Sequence, residues 1–397
     1  MDNLKIEYRM VAPEERLAVA RVQGAAFSFA VNEKDIRDKI EKGEYKDDEI
    51  YAAIDENGRA YAAMEALPYT MWFDGHRVAM YGIGGVASMP ETRRQGHVRK
   101  VFEKLFSDIH EKGVVFSHLY PFSHDYYRKF GYEQCGSAKK YILPVDAARR
   151  LPNRGETREF VKGDAVRDTL VAVYESYASR HNVMLSRSQK RWDDVLNVDG
   201  LGVDKLYYWA DAGGNVKSWA KFQRNGRLME ISDIAWEDGE SMLGILQFMG
   251  MFEGTAEKFS FRASPEFIAE LYWNNIYDIQ VENHWIGMNR VVDAKRTLEL
   301  IKKPDGEGRF AIKINDGFAG WNSGTYTVEY GGGECRVDAV HPGGADVEVT
   351  EHAFMQMALG LYEFEQVAKR ADVQTHGNAE TLKKVFCKKP ILITDHF

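Results

Sequence analysis

Two arginines, a glycine and a basic helix start follow one another in Arg93-Arg94-Gln95-Gly96-His97-Val98-Arg99. A strand-like run from Tyr81 to Ser88 leads in. Downstream, Val98, Val101, Phe102, Leu105, Phe106 and Ile109 recur at helical spacing with charge on the other face, and Gly113 supplies a stop signal. Gly96 therefore opens a helix. The first turn of a helix has free backbone N–H groups and the positive end of the macrodipole, and a residue without Cβ lets an anion come close. With the arginines added, the chemistry predicted is the binding of a pyrophosphate. The same residues also fit a solvated basic helix start.

The elements that must hold this turn read as a mixed α/β domain. Leu4 to Val11 is a predicted strand, and Pro13 to Phe27 and Lys34 to Lys42 are predicted helices. Strands follow, broken by the turn signals Glu56-Asn57-Gly58 and Asp74-Gly75, and Val114 to Tyr120 is a further strand after the helix. The run Gly82-Ile83-Gly84-Gly85 lies within a strand and does not open a helix, which argues against a dinucleotide fingerprint. Its glycines instead suit a ligand approaching the strand backbone.

A weaker copy of this order occupies residues from about 150 to 285. Helices are predicted over Ala165 to His181 and Ser188 to Val195, a strand over Leu206 to Ala210, and a helix over Ser241 to Met251. Where the first copy has its arginines, the second has Glu237-Asp238-Gly239-Glu240. Those carboxylates would repel a pyrophosphate, so the second copy is expected to be structural. The remainder reads as an α+β module: a helix from Ala294 to Lys302, strands at Phe310 to Asn315 and Thr325 to Tyr330, and helices at 351–360 and 378–386. The tail Ile391-Leu392-Ile393-Thr394-Asp395-His396-Phe397 is apolar enough to predict that it packs against the body.

With 397 residues, 28% charged and 44% hydrophobic, the chain has the composition of a folded multidomain protein. A net charge of −8 provides no footprint for nucleic acid or an anionic membrane and favours a cationic small molecule or basic peptide. No apolar run has the length of a membrane span, and the charged first residues lack the form of a signal peptide, so a cytoplasmic location is expected. Cys135, Cys335 and Cys387 are odd in number and widely spaced, which predicts neither a disulfide framework nor a metal site.

A second motif, Tyr126-Tyr127-Arg128-Lys129-Phe130-Gly131-Tyr132, follows the predicted strand Val114 to Tyr120. Taken with the Arg93 turn, it resembles the GNAT superfamily of acyl-CoA-dependent N-acyltransferases. The order of the three regions and the final Phe397 narrow the resemblance to the enhanced intracellular survival (Eis) family. Val98, where the superfamily usually has Gly or Ala, agrees with the narrower match.

The resemblance implies an α+β chain in three parts: a catalytic GNAT domain over 1–145, a degenerate GNAT-like domain over 146–286, and a sterol-carrier-protein-like domain over 287–397 whose tail enters the active site. It implies acetyl-CoA held by Val86, Ala87, Ser88, Arg93, Arg94, Gly96, His97, Val98, Arg99 and Ser123, without a metal. Tyr127 matches the family's general acid, and the Phe397 carboxylate is placed in the active site as base or as a group orienting the amine. His396 and His124 are rival bases. Phe27, Phe29 and Tyr81 are expected to line the substrate pocket. The implied reaction is direct acetyl transfer to primary amines of the aminoglycoside or polyamine kind, by a homo-oligomer, a hexamer in that family. A protein lysine acetyltransferase and a non-catalytic acyl-CoA or lipid binder are the alternative readings.

Overall fold

Three β-sheets carry the chain in the computed structural model, which describes residues 5–45, 49–339 and 344–397. The first is built from β1 (Ile6–Met10), β2 (Ile50–Asp55), β3 (Ala60–Phe73), β4 (His76–Ser88), β5 (Phe116–Leu119) and β6 (Glu133–Gln134). The second holds β7 (Ser137–Pro144) and β8 (Glu156–Phe160), and, after the short β9 (Leu185–Ser186), β10 (Lys205–Ala210), β11 (Val216–Asn225), β12 (Leu228–Trp236), β13 (Lys258–Ala263) and β14 (Gln280–Trp285). Next comes β15 (Met288–Val291). The third sheet comprises β16 (Gly308–Asn315), β17 (Gly324–Gly331), β18 (Glu334–Ala339), β19 (Val347–Thr350) and β20 (Val373–Thr375). The fold is α+β, with mixed sheets.

The first two sheets repeat one pattern. Their orders are β1-β2-β3-β4-β5-β15-β6 and β8-β10-β11-β12-β13-β7-β14. In each, antiparallel strands lead to a single parallel pair, β4–β5 in one and β12–β13 in the other, followed by two antiparallel pairings. The strand beyond the parallel pair is exchanged between the copies. Residues following the second copy supply β15 to the first sheet, while β7, between β6 and β8 in sequence, joins the second. Met288–Val291, read from sequence as the head of the last segment, thus lies in the first sheet, between Phe116–Leu119 and Glu133–Gln134. Long-range pairing of a four-residue strand leaves no local signature, which is why periodicity did not place it.

Four helices frame the first sheet: α1 (Arg16–Phe27), α2 (Glu33–Glu41), α3 (His97–Glu111) and α4 (His124–Arg128). The apolar face read from the sequence of α3 is the face it buries, with Val101, Phe102, Leu105, Phe106 and Ile109 fully enclosed against the first sheet. Burying such side chains contributes about 1.5–3 kcal/mol each, which fixes the helix and with it the turn at its start. Between β3 and β4, Asp74 and Gly75 both have positive φ, 49° and 82°, as a two-residue hairpin turn of the I′ kind requires. A continuous apolar core joins all three parts of the chain, from Met71, Phe73 and Met80 through Tyr174 and Trp219 to Phe310 and Ile312. Ile391, Leu392 and Ile393 are buried in it, so the tail packs as its composition predicted.

Candidate active site

β4 pairs with β5 only from Met80 to Ile83, then runs on to Ser88. Over Gly84–Ser88 it has no described partner on that side. Its register against β3 shifts between Ala63 and Glu65, and Gly85 in the bulge has φ +57°. A splayed strand of this kind offers backbone hydrogen-bonding groups that no sheet partner uses. The chain then turns through Pro90–Thr92, with Arg94 at φ +68° and Gly96 at φ +84°, into α3. Around Gly96 the place of a Cβ is open space.

A cleft of about 700 Å³ lies over this turn. It is lined by Val86, Ala87 and Ser88 of β4, by Arg93, Arg94, Gly96, His97, Val98 and Arg99 of the turn and helix start, by Phe122, Tyr126, Lys129 and Phe130, and by Phe27 of α1. Nine of the ten residues expected to hold the cofactor thus meet in one cleft. Arg93 and Arg94 are exposed and make no ion pair with a described residue, whereas Arg99 is held by Glu103 at 3.0 Å. The His97 ring turns inward, stacked on Tyr8 and tilted against Tyr61, with its Nδ1 3.2 Å from the Tyr8 hydroxyl. Burial lowers its pKa, so it is neutral at pH 7 and offers a ligand its backbone N–H.

The tenth, Ser123, stands outside the cleft lining: its hydroxyl caps α4 by accepting the Tyr126 N–H at 3.3 Å. Two residues expected to line the substrate pocket also lie away from this cleft. Tyr81 sits in the core beneath α3, its hydroxyl donating to Glu49 at 3.0 Å, because its position on β4 alternates to the helix-covered face. Phe29 is half-exposed beyond the end of α1 and does not reach the cleft lining, its ring lying back toward Gly24.

Tyr127 is 4% exposed, its ring edge-on to Phe102, Phe122, Tyr126 and Tyr132. No described residue hydrogen-bonds its hydroxyl. Burial pushes the phenol pKa well above its ordinary value. Phe397 lies on the opposite face of β4. Its ring meets Tyr69 at 4.7 Å, Tyr120 at 5.6 Å and His118 at 5.7 Å between centroids. A Cβ at Gly82 would come within 2.5 Å of the Phe397 ring and 2.9 Å of Tyr69, so the space opened by this glycine is filled by the tail and not by a ligand. Neither His396 nor His124 is enclosed: His396 is exposed beside Tyr120, and His124 is exposed at the start of α4.

Residues 7–135 match the family model of the acetyltransferase (GNAT) domain. The first part of the chain is a GNAT acetyltransferase domain. Residues 294–393 match the sterol carrier protein domain. Solved structures resemble it over nearly its whole length. A probable N-acyltransferase from Enterococcus faecalis is 20% identical, with TM-score 0.85 and coverage of 99% of this chain and 100% of that one. A GCN5-related N-acetyltransferase from Anabaena variabilis gives 18%, 0.83, 99% and 100%, and Eis1 from Mycobacterium abscessus 14%, 0.78, 99% and 100%. At such identities the likeness is one of fold. No curated protein sequence matches the chain.

Around this GNAT domain three side chains matter that the sequence did not single out, two inside it and one in the tail. Glu65 on β3 accepts Gln23 Nε2 at 2.9 Å, and the same Gln23 nitrogen stands 3.5 Å from the Gly85 carbonyl, so the pair buttresses the bulge that splays β4. A charged residue inside the apolar run Ala60–Leu67 was the one available signal. Asp395 anchors the tail from a buried position among arginines. Among the described residues no cluster of His, Cys, Asp and Glu is arranged to hold a metal, and no helix is long and apolar enough to cross a membrane. Removing both cleft charges with Arg93→Gln and Arg94→Gln is expected to weaken CoA binding by about 10- to 100-fold, more at low salt than at high, since exposed charge-assisted hydrogen bonds are worth roughly 1.5–3 kcal/mol together. Calorimetric titration with CoA at two ionic strengths measures this.

Proposed function

We propose that the chain transfers the acetyl group of acetyl-CoA directly to a primary amine, within a ternary complex formed at the splay of β4. The observation carrying this reading is that the anion cleft at the start of α3 and the docked tail approach the same strand from different sides, Gly82 standing about four residues, roughly 13 Å, before Val86. CoA pyrophosphate would take the first-turn N–H groups, Arg93 and Arg94. Pantetheine would lie along Gly84–Ser88 in place of a sheet partner, which brings backbone donors of Val86–Ser88 to the carbonyl oxygen of the thioester.

The bond made is amine nitrogen to acetyl carbon, and the bond broken is carbon to sulfur. Counted from the neutral amine, the acceptor nitrogen gives up one proton and the departing thiolate gains one; the ammonium form first loses a further proton, which leaves to solvent, so the exchange balances without a further reagent. A lysine-like amine is almost wholly charged at pH 7, at a cost of about 4–5 kcal/mol to neutralise. A desolvated approach past the tail, where the Phe397 carboxylate orients the cation or takes its proton, lowers that cost. Tyr127, protonated in the resting enzyme, is the general acid: it passes its proton to the leaving sulfur and regains one from solvent. Phe27, which lines the cleft, is kept as a pocket residue. The three-part division at 145 and 286 and a hexameric assembly belong to the same reading and rest on the family resemblance, and a cytoplasmic location rests on the sequence pattern.

The test is release of CoA thiol from acetyl-CoA across a panel of aminoglycosides, polyamines and lysine peptides. Amine-dependent release supports the reading, and the preferred class separates small amines from protein lysines. Measurable CoA binding without release for any amine overturns it.

A further inference from the structure

The tail is held by a charge cluster drawn from the second copy. Asp395 is buried, and Arg187 Nε lies 3.1 and 3.2 Å from its two carboxylate oxygens, Arg191 Nε 2.9 Å from one of them, and the Tyr174 hydroxyl 3.3 Å from the other. Arg187 is itself buried. Its Nη1 stands 2.6 Å from Asp233 Oδ2, a close charge contact and not an aligned hydrogen bond, and its guanidinium is 4.0 Å from the centre of the Tyr174 ring and 5.1 Å from that of Trp192. A buried arginine between two carboxylates and two aromatic faces has few alternative positions.

The cluster is also registered to β3, the strand that pairs with the splayed β4. β9 pairs with β3 through Ser186 opposite Thr70 and Leu185 opposite Met71, which continues to Arg187 beside Tyr69. Tyr69 is the ring that carries Phe397. From the other side the Tyr120 hydroxyl donates to the Asp395 carbonyl at 2.6 Å, and the Asn182 N–H donates to the Pro390 carbonyl at 2.9 Å.

We propose that Arg187, braced by Asp233, is a positioning residue for acetyl transfer: it clamps Asp395 and so sets where Phe397 stands against Gly82. The second copy, whose own helix start is capped by Asp238 accepting the Ser241 N–H at 2.8 Å, serves the reaction as the clamp of the tail. This role rests on the reading that Phe397 belongs to the active site.

The test uses the full-length protein, with Asp395→Asn and Arg187→Met. Hydrogen exchange of the 391–397 amides is expected to quicken at least about tenfold in both variants, with the α3 and α4 amides unchanged. In turnover assays the KM for acetyl-CoA should stay put while kcat/KM for the amine falls about tenfold or more. In a chain lacking Phe397, adding Asp395→Asn should cause no further loss. Asp395→Asn leaves the Arg187–Asp233 pair in place, so the test stands if Arg187→Met does not fold. Unchanged exchange at 391–397 in Asp395→Asn overturns the clamp, as does an equal loss of activity with and without Phe397. Quickened exchange in a protein that acetylates no amine would leave the clamp standing and overturn the transfer reading instead.

Discussion

Tyr127→Phe is expected to lower kcat by about 10²- to 10⁴-fold, the range for losing a positioned proton donor, while leaving the affinity for acetyl-CoA unchanged. Removing this one oxygen costs no described hydrogen bond, and the ring keeps its contacts with Phe102, Phe122 and Tyr132. Stability should therefore hold, and a rate loss would be chemical. Steady-state kinetics with a melting curve on the same sample checks both. Tyr126→Phe is the control, since Tyr126 lines the cleft one residue away. Burial raises the Tyr127 pKa, so its protonated, donating form persists as pH rises. The wild-type kcat profile should accordingly show no falling alkaline limb below about pH 10, the ordinary phenol value. Wild-type turnover in Tyr127→Phe would remove this residue from the mechanism.

Arg290→Ala is expected to cost about 3–5 kcal/mol, as removal of one partner of a buried ion pair does. Arg290 is fully buried on β15, and its Nη2 donates to both Asp316 carboxylate oxygens, at 3.0 and 2.8 Å. The guanidinium also faces Phe106 of α3 and Phe318. A Cβ on Gly131 would collide with it, its Cζ being 2.5 Å from that place, and Gly131 has φ +79°. The glycine of the Tyr126–Tyr132 motif thus makes room for an arginine more than 150 residues away in sequence. The double change Arg290→Met with Asp316→Leu should be less damaging than Arg290→Ala, because it leaves no buried charge unpaired. Burial would raise the Asp316 pKa, but Arg290 and the N–H groups of Ala319 and Phe318 outweigh it and the net shift is downward. Its contribution is therefore present above the ordinary carboxylate pKa of about 3.9 and lost as pH falls through the lower folded value. Melting temperatures of wild type and variants at pH 7 and in strong acid read the size and the sign.

The α3 turn was legible because everything that makes it work is local. Arginines, glycine, helix start and buried face follow one another within 93–109, and the geometry of a helix terminus needs no distant partner. The packing of the tail was legible through its apolar run. The capping role of Ser123 was not legible because a serine before a short helix serves equally as a cap or as a ligand, and the cap shows only in the Tyr126 N–H. The burial of Tyr81 beneath α3 was not legible because alternation along β4 sends neighbouring residues to opposite faces, and the sequence does not say which face α3 covers.

Sequence by itself determined the chemistry available to this protein: one basic, glycine-bearing helix start, a tyrosine motif and an apolar tail, with acidic residues where the second copy would need basic ones. Tertiary structure decided which of these meet. The exchange of β7 and β15, the docking of β9 on β3, the space at Gly82 that Phe397 fills and the Arg187–Asp395 clamp all depend on pairings between residues tens to hundreds of positions apart. Such contacts form because the three parts bury one continuous core, whose free energy belongs to the assembled surface and to no segment of the chain alone.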